Sequence, residues 1–265
     1  MTRLPVRTTY KLFVGGGFPR SESGRTYEAE GQNVARASRK DARDAVVAAR
    51  KAQPGWASAT PYNRGQVLYR LAEMMETRTA DLAAVCSGKK EVEAAIDRVV
   101  WYAGWADKLA QVIGSSNPVS GPYFNFTFPE PTGVVAILAP DEPALGGLVS
   151  RLAPALVGGN AVVVVASETH PVAAIELAVA IATSDDPGGV VNILTGHREE
   201  LAPILAGHMD VNALDLTGAN GQSPELERLA ADNVKRVVHG SVDEQSPWVI
   251  ASFLELKTVW HPIGQ

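Results

Sequence analysis

Few side chains in this 265-residue sequence have the types and spacing that active-site chemistry needs. The five histidines are scattered, without H-x-H or H-E-x-x-H spacing, so no zinc site is expected. The serine-nucleophile motif G-x-S-x-G does not occur. The adjacent acids Asp141 and Glu142 could hold a metal ion or exchange protons, although adjacent acids in a loop are more often solvated. The single cysteine, Cys86, excludes an internal disulfide and is interpreted as an inert, buried or half-buried thiol.

The composition is that of a globular domain, with 46% hydrophobic and 20% charged residues. A net charge of −5 gives no electrostatic reason to expect a nucleic-acid partner or an anionic membrane surface. No apolar run approaches the roughly 20 residues of a membrane span, and the first residues lack the apolar core of a signal peptide. The use of one cysteine fits a reducing compartment, so a cytoplasmic location is expected.

Helical periodicity dominates much of the first half of the chain and predicts a layer of three helices. Ser38 is a suitable N-cap for the first helix, with Asp41 near its positive end. This helix is expected to stop before Pro54. The other two are expected at residues 62–85 and 91–113.

Strand and helix patterns alternate from Val134 onward. Short β-branched runs indicate strands that are buried on both faces, namely VVAIL, AVVVV, VVNIL, NALDL and KRVVH. Helical patterns separate these runs, so the sheet should be parallel. The predicted fold class is α/β, a Rossmann-like doubly wound parallel sheet with an N-terminal helical layer and a protruding β arm.

The arm is predicted from two alternating segments outside this sheet. In YFNFTFPEPTG, Phe124, Phe126 and Phe128 point to one side of a half-buried strand that ends in a turn. In FLELKTVW, at residues 253–260, apolar and polar residues also alternate. An unpaired edge of this kind tends to associate with another strand, so β-strand addition to another subunit is expected.

Several stretches resemble the aldehyde dehydrogenase family in chain order. EPTGVVAILAPDEPALGGLVSRLAPALVGGNAVVVVASETHPVAAIELAVAI is similar to its cofactor-binding domain, and GGVVNILTG and DVNALDLTGA look like its next two strand-loop signatures. KLFVGGGFPRSESGRTYE is similar to the opening hairpin. FLELKTVWHPIG resembles the terminal strand, which in the family reaches across to a neighbouring subunit. The resemblance implies a Rossmann-like cofactor domain with arms that join subunits.

The sequence departs from the family at the positions that the resemblance assigns to chemistry. The family stabilises its oxyanion with the asparagine of a Pro-Trp-Asn turn, where this chain has Pro140-Asp141-Glu142. A carboxylate there would repel a developing alkoxide, because two charges about 4 Å apart interact by roughly 4 kcal/mol at an effective dielectric near 20. The family's general base lies in Glu-Leu-Gly-Gly, and VHGSVDE places Gly240 at that position, with Glu244 nearby but out of register.

The resemblance also implies a nucleophilic cysteine on a catalytic domain that is inserted after the cofactor domain. Residues 236–252 are too few for such a domain, and Cys86 precedes the sheet, so no catalytic residue is assigned. The predicted organisation is a cofactor-binding domain at 1–245, which contains a hairpin arm at 123–133, and an oligomerisation strand at 246–265. The catalytic domain is expected to be absent.

Cofactor binding is predicted at the strand ends. The family's Lys-Pro-Ser-Glu holds the adenosine ribose, and Val165-Ala166-Ser167-Glu168 stands in its place, so Glu168 is kept while the ammonium group is lost. The candidate cofactor-binding residues are Glu168, Ser167, Gly196 and Gly218. NAD or NADP is expected to bind weakly or not at all, and no metal is expected.

The first hypothesis for function is a non-catalytic aldehyde dehydrogenase-like subunit, a pseudoenzyme. It would act as a structural or regulatory partner in a homo-oligomer, or in a hetero-oligomer with an active aldehyde dehydrogenase. Two alternatives stay open. One is a divergent NAD(P)-dependent aldehyde oxidoreductase that uses the remaining cleft. The other is a dinucleotide-sensing module without turnover.

Overall fold

The N-terminal part of the structure combines a small sheet with a layer of helices. The computed structural model describes residues 8–264. The small sheet has the order β1-β3-β2, with strands β1 (Thr9–Tyr10), β2 (Thr26–Ala29) and β3 (Gln32–Ala35). The helices that follow are α1 (Arg39–Ser58), α2 (Pro61–Thr77), α3 (Thr79–Ala83), α4 (Lys89–Ala103) and α5 (Leu109–Val112).

The first helix begins where predicted but ends later. The Ser38 hydroxyl accepts hydrogen bonds from the backbone N–H groups of Lys40 and Asp41, which makes it the N-cap of α1. The prediction that α1 stops before Pro54 is wrong, since the helix continues to Ser58. Burial of Trp56 explains the continuation, because its Nε1 donates to the Leu156 carbonyl at 3.0 Å. This tertiary contact outweighs the helix-breaking tendency of proline.

The other two predicted helices each divide into two. The helix expected at 62–85 breaks at Arg78, whose φ of −109° and ψ of 17° lie outside the α-helical range. The Arg78 guanidinium reaches Glu176 at 2.9 Å, which ties this break to the main domain. The helix expected at 91–113 ends at Gly104, consistent with the low helix propensity of glycine.

The main sheet is parallel and confirms the predicted fold class. After α5 come β4 (Ser115–Asn117) and β5 (Tyr123–Pro131), and then strand and helix alternate. The elements of the alternating region are β6 (Val134–Leu138), α6 (Ala144–Val157), β7 (Ala161–Val165), α7 (Pro171–Ala182), β8 (Val191–Leu194), α8 (Arg198–Ala206), β9 (Ala213–Asp215), α9 (Ser223–Ala231) and β10 (Arg236–Val238). The strand order is β10-β9-β6-β7-β8, and every adjacent pair is parallel.

Hydrophobic packing covers both faces of this sheet. On one face Val135 and Ile137 of β6 join a core shared with α2, α4, α6 and α7. On the other, Val134, Ala136 and Leu138 join a core shared with α1, α8 and α9. The two cores fix the strands, and therefore fix the loops at their carboxyl ends.

The arm is a third sheet, which is antiparallel and has the order β11-β5-β4. A short helix, α10 (Pro247–Ala251), leads into β11 (Leu254–Pro262), and β11 pairs with β5 along its whole length, from Leu254 opposite Pro131 to Pro262 opposite Tyr123. As predicted, the three phenylalanines of β5 share a face, with ring centroids 5.2 and 6.1 Å apart in succession. Within residues 8–264, no helix is long and apolar enough to cross a bilayer.

Candidate functional site

The candidate site lies at the carboxyl edge of the parallel sheet. In the sheet, β7 lies next to β6 on one side and β9 lies next to β6 on the other. The direction in which successive strands are added therefore reverses between β6 and β9. In open α/β sheets, ligands bind in the crevice at such a reversal. Four loops meet here, at residues 139–143, 166–170, 195–197 and 216–222.

Asp141 is the centre of the hydrogen bonds that join these loops. The Arg198 guanidinium donates to both carboxylate oxygens of Asp141, at 3.1 and 3.3 Å. The Ser167 hydroxyl donates to Oδ1 at 2.8 Å, and the Asn220 side-chain amide donates to Oδ2 at 2.6 Å. One carboxylate therefore connects the loops that follow β6, β7, β8 and β9.

The expectation that both adjacent acids are solvated is wrong for Asp141. Burial disfavours its charged form, but the hydrogen bonds from Arg198, Ser167 and Asn220 outweigh burial and lower the pKa of Asp141. Glu142 is exposed and contacts His170, whose other ring nitrogen contacts Glu30 in the turn between β2 and β3, both at 3.0 Å. The hydrogen bond with Glu30 is the main cause that raises the pKa of His170.

Glu168 lies next to Asp141 and is also engaged by the protein. Its carboxylate contacts Nδ1 of His197 at 2.6 Å and accepts the backbone N–H of Arg198 at 3.1 Å. Burial opposes ionisation, but the bonds from His197 and Arg198 lower the pKa of Glu168. The side chain remains partly exposed, so its predicted role as a ribose ligand stays a prediction.

The other three predicted cofactor residues face the protein. Ser167 is buried, and its hydroxyl bonds Asp141. Gly196 has φ +145°, and a Cβ there would lie 3.1 Å from the Ala37 nitrogen. A Cβ on Gly218 would clash with the Ala139 carbonyl oxygen, so only glycine permits this approach of the β9 loop to β6. These contacts give both glycines a packing role, and their cofactor roles stay predictions.

The sequence did not reveal a third carboxylate at this edge, that of Glu91 on α4. Its Oε1 accepts the backbone N–H groups of Leu145 and Gly146 at the start of α6, at 2.8 and 3.0 Å, and its Oε2 accepts the N–H of Ser87 at 2.7 Å. Arg198 and Asn220 were missed as well. None of the three has a local sequence signal, since the side chain of each bonds a residue more than fifty positions away along the chain.

Cys86 lies on the helical layer, between α3 and α4, as predicted. Its thiol is half-buried and bonds the Gly88 carbonyl at 3.7 Å. Burial raises the pKa of Cys86 to about 11, so the thiol is protonated at neutral pH and is a poor nucleophile. Ser87 and Lys90, which have the S-x-x-K spacing of some serine nucleophiles, lie in the same region, and Lys90 is exposed.

A buried ion pair fills the space beneath Gly240. Nε of Arg151 donates to Oδ2 of Asp215 at 2.7 Å, and both side chains are buried. The guanidinium also lies over the Phe253 ring, 5.4 Å from its centroid. A Cβ on Gly240 would clash with the Arg151 guanidinium. Residue 240 therefore cannot carry a side chain without displacing Arg151.

The dinucleotide that the resemblance implies can be tested against these contacts. A pyrophosphate needs N–H donors or cationic side chains. The guanidinium of Arg198 and the amide of Asn220 are already bonded to Asp141, whose carboxylate has the same sign of charge as a pyrophosphate. These two side chains are therefore not free to hold a pyrophosphate. Among residues 8–264, no three histidine, cysteine or acidic side chains are grouped to hold a metal ion.

Comparisons with known proteins agree with this geometry. The model of the aldehyde dehydrogenase family matches residues 25–260. Cytosolic aldehyde dehydrogenase 1 of Elephantulus edwardii is 32% identical over 89% of this chain and 51% of its own length. HpcC of Thermus thermophilus superimposes with a TM-score of 0.82 at 29% identity, over 87% of this chain and 47% of its own.

A further solved structure is an NAD⁺ complex of an aldehyde dehydrogenase from Bacillus cereus. It superimposes with a TM-score of 0.79 at 26% identity and covers 87% of this chain and 50% of its own. This chain thus spans about half the length of the relatives that it matches.

Proposed function

Because the chain belongs to the aldehyde dehydrogenase family, we propose that it is a non-catalytic member that serves as a structural or regulatory subunit of an oligomer. Its partners would be further copies of itself or an active aldehyde dehydrogenase. The family fold and the arm are retained, while the groups that would perform the chemistry are replaced.

The observation that carries this proposal is the direct connection from the main sheet to the arm. Residues 239–253 are all that separates β10 from β11. Chains below about 40 residues seldom fold alone, so this connection does not hold a separate domain. The connection packs on the domain of the parallel sheet instead. The Gly240 N–H donates to the Thr217 hydroxyl at 3.2 Å, and Val249 and Ile250 are buried.

The replaced chemical groups support the same conclusion. Glu142 occupies the position that the resemblance gives to the oxyanion asparagine, and a carboxylate there would oppose a developing alkoxide. Gly240 occupies the position of the general base and has no room for a side chain. The thiol of Cys86 is held in its protonated form.

The arm supports the proposed role in assembly. β11 is an edge strand, and several of its large apolar side chains are exposed, among them Leu256 and Trp260. The Trp260 ring packs on Tyr123, 5.7 Å between centroids, and both rings lie at the outer end of the arm. Exposed apolar surface next to an open strand edge is typical of a surface that pairs with another chain. Assembly in the cytoplasm is part of the proposal.

Light scattering on the purified chain, alone and mixed with a full-length aldehyde dehydrogenase, tests this role. We expect an oligomer in at least one condition, and we expect Leu256→Lys combined with Trp260→Lys to disrupt it. Met209→Lys is the matched control, since Met209 is also exposed but lies between α8 and β9. A chain that stays monomeric and co-purifies with no dehydrogenase would contradict the proposal.

A further inference from the structure

The outer edge of β11 is open along its length. β11 pairs with β5 on one side, and among residues 8–264 no strand pairs with its other side. Beyond one end of β11, the Ile263 N–H donates to the Pro122 carbonyl at 2.9 Å, and beyond the other end the Phe253 carbonyl accepts the Thr132 N–H at 3.3 Å. The odd-numbered residues of this strand therefore turn their backbone groups towards β5.

The even-numbered residues of β11 turn their backbone groups to the open edge, because these groups alternate in direction along an antiparallel strand. The hydroxyls of Thr127 and Thr258, which lie opposite each other, are 2.9 Å apart. This short distance agrees with the assignment, since side chains approach most closely at pairs that are not hydrogen-bonded. Leu256, Thr258 and Trp260 therefore each present a free N–H and a free carbonyl at the edge.

The sequence of β11 is complementary to itself about its midpoint, Thr258. If two copies of the strand pair antiparallel about a twofold axis at Thr258, all 9 residues of each strand find a residue opposite. Thr258 then lies opposite Thr258 of the second copy, and Leu256 lies opposite its Trp260. These are the residues with free backbone groups, so the two strands would share about six main-chain hydrogen bonds.

The side chains match in the same register. Leu256 and Trp260 are 56% and 58% exposed, and pairing them across the two strands would remove apolar surface from water. Glu255 would lie opposite His261 of the second copy, whose imidazole can donate to a carboxylate. Glu255 contacts Arg236 of its own chain at 2.8 Å, but its side chain stays 52% exposed and can accept a further bond.

The neighbouring registers are less favourable. An axis at residue 257 would place Lys257 opposite Lys257 of the second copy, and like charges directly opposite each other are destabilising. An axis at residue 259 would place Leu256 opposite Pro262, which has no N–H to donate. An axis at residue 256 would pair only residues 254–258 and leave the exposed Trp260 outside the pairing.

We propose that the partner of the arm is a second copy of this chain, whose β11 pairs antiparallel with β11 about a twofold axis at Thr258. This pairing joins the two three-stranded arms into one continuous sheet and leaves neither copy of β11 at an open edge. The inference rests on the proposed role in assembly and deepens it, because it names the partner and the residues that meet.

Disulfide cross-linking of the full chain tests the register, with Cys86→Ser as the background that removes the native thiol. Glu255→Cys combined with His261→Cys places thiols opposite each other at pairs that are not hydrogen-bonded, with Cα atoms about 4.5 Å apart. We expect mild oxidation to give a covalent dimer on a non-reducing denaturing gel. Each substitution alone is the matched control and should give none, because two copies of the same residue would lie about 20 Å apart.

Thr258→Pro tests the main-chain hydrogen bonds independently of the thiols. It removes the N–H at the centre of the pairing, while the bonds between β11 and β5 remain, and edge strands tolerate proline. We expect the Kd of the dimer, measured by analytical ultracentrifugation, to rise at least about tenfold. Thr258→Ala keeps the N–H and is the control, with an expected change of less than about threefold. Equal Kd values for the two variants would contradict the pairing at Thr258.

The same preparations separate this inference from the proposed function. A double-cysteine variant that is folded by circular dichroism and forms dimers without cross-linking would overturn the inference, because assembly would then use another surface or register. A chain that is monomeric alone and binds only a full-length aldehyde dehydrogenase would also overturn it. Both results would leave the proposed function intact, whereas a chain that stays monomeric in both conditions would overturn the proposed function as well.

Discussion

At the scale of single residues, Asp141 and Gly240 each help to hold parts of the fold together. Asp141 binds three side chains from three other loops, and Gly240 gives room to a buried arginine. Each of these structural roles can be measured.

Asp141→Asn should lower stability by about 1–3 kcal/mol at pH 7, because it leaves the buried Arg198 guanidinium without its anionic partner. The cause also predicts a pH dependence. Since the folded-state pKa of Asp141 is lowered, its stabilisation is present above the unfolded-state value of about 4 and is lost as the pH falls through the folded-state value. Urea unfolding between pH 7 and pH 3 measures both effects.

The control for this variant is Asp44→Asn, because Asp44 pairs with Lys40 on the exposed surface of α1. Exposed pairs of this kind contribute less than about 1 kcal/mol. Equal losses of stability for the two variants would show that the Asp141 contacts have no special weight.

Gly240→Ala should destabilise the protein by about 1–3 kcal/mol, since the added Cβ would meet the Arg151 guanidinium and strain its pair with Asp215. Gly55→Ala is the matched control, because nothing lies within 4 Å of a Cβ there and alanine suits the interior of α1. Thermal unfolding of both variants measures this difference in stability. A Gly240→Ala protein as stable as the parent would mean that Arg151 can move aside without a loss of stability.

At the scale of elements, local patterns predicted the strands of the parallel sheet and the first helix cap. Tertiary contacts determined features that these patterns could not predict, such as the end of α1. The five β-branched runs and the alternating phenylalanines needed only their own neighbours in sequence to be assigned. The extension of α1 past Pro54 depended on Leu156, the acceptor of the Trp56 indole a hundred residues away. The contacts of Asp141 with Arg198 and Asn220 are also distant in sequence, so these hydrogen bonds across the crevice could not be predicted from the sequence.

His170 links two elements and should give the turn between β2 and β3 a pH dependence. Protonated His170 bridges Glu30 in that turn and Glu142 after β6, with Asp141 as the further nearby acid. Since its pKa is raised, the stabilisation is full below the unfolded-state value of about 6.5 and is lost as the pH rises through the folded-state value. The bridge is partly exposed, so its contribution should stay below about 1 kcal/mol.

Hydrogen exchange of the amides at residues 29–32, compared with His170→Gln, measures this link. After correction for the intrinsic pH dependence of exchange, protection in the parent should fall from pH 5.5 to pH 8, and the variant should show no such fall. Parallel profiles in both proteins would contradict the role of His170.

At the scale of the whole molecule, the chain combines a complete parallel sheet with an arm and only a short connection between them. The resemblance predicted the family correctly, and the family fold accounts for the sheet order, the helices on both faces and the position of the arm. The proposed function rests on the short connection between β10 and β11, which does not hold a separate domain. It also depends on the arm, whose exposed edge and aromatic end remain available for another subunit.

Aldehyde oxidation by the purified chain tests the central claim most directly. Formation of NADH or NADPH would be followed with aliphatic and aromatic aldehydes, with a full-length aldehyde dehydrogenase as the positive control. The account predicts a rate that cannot be distinguished from that of a sample without protein. Turnover at about 1 s⁻¹ or faster, within the usual range of enzymes, would contradict it.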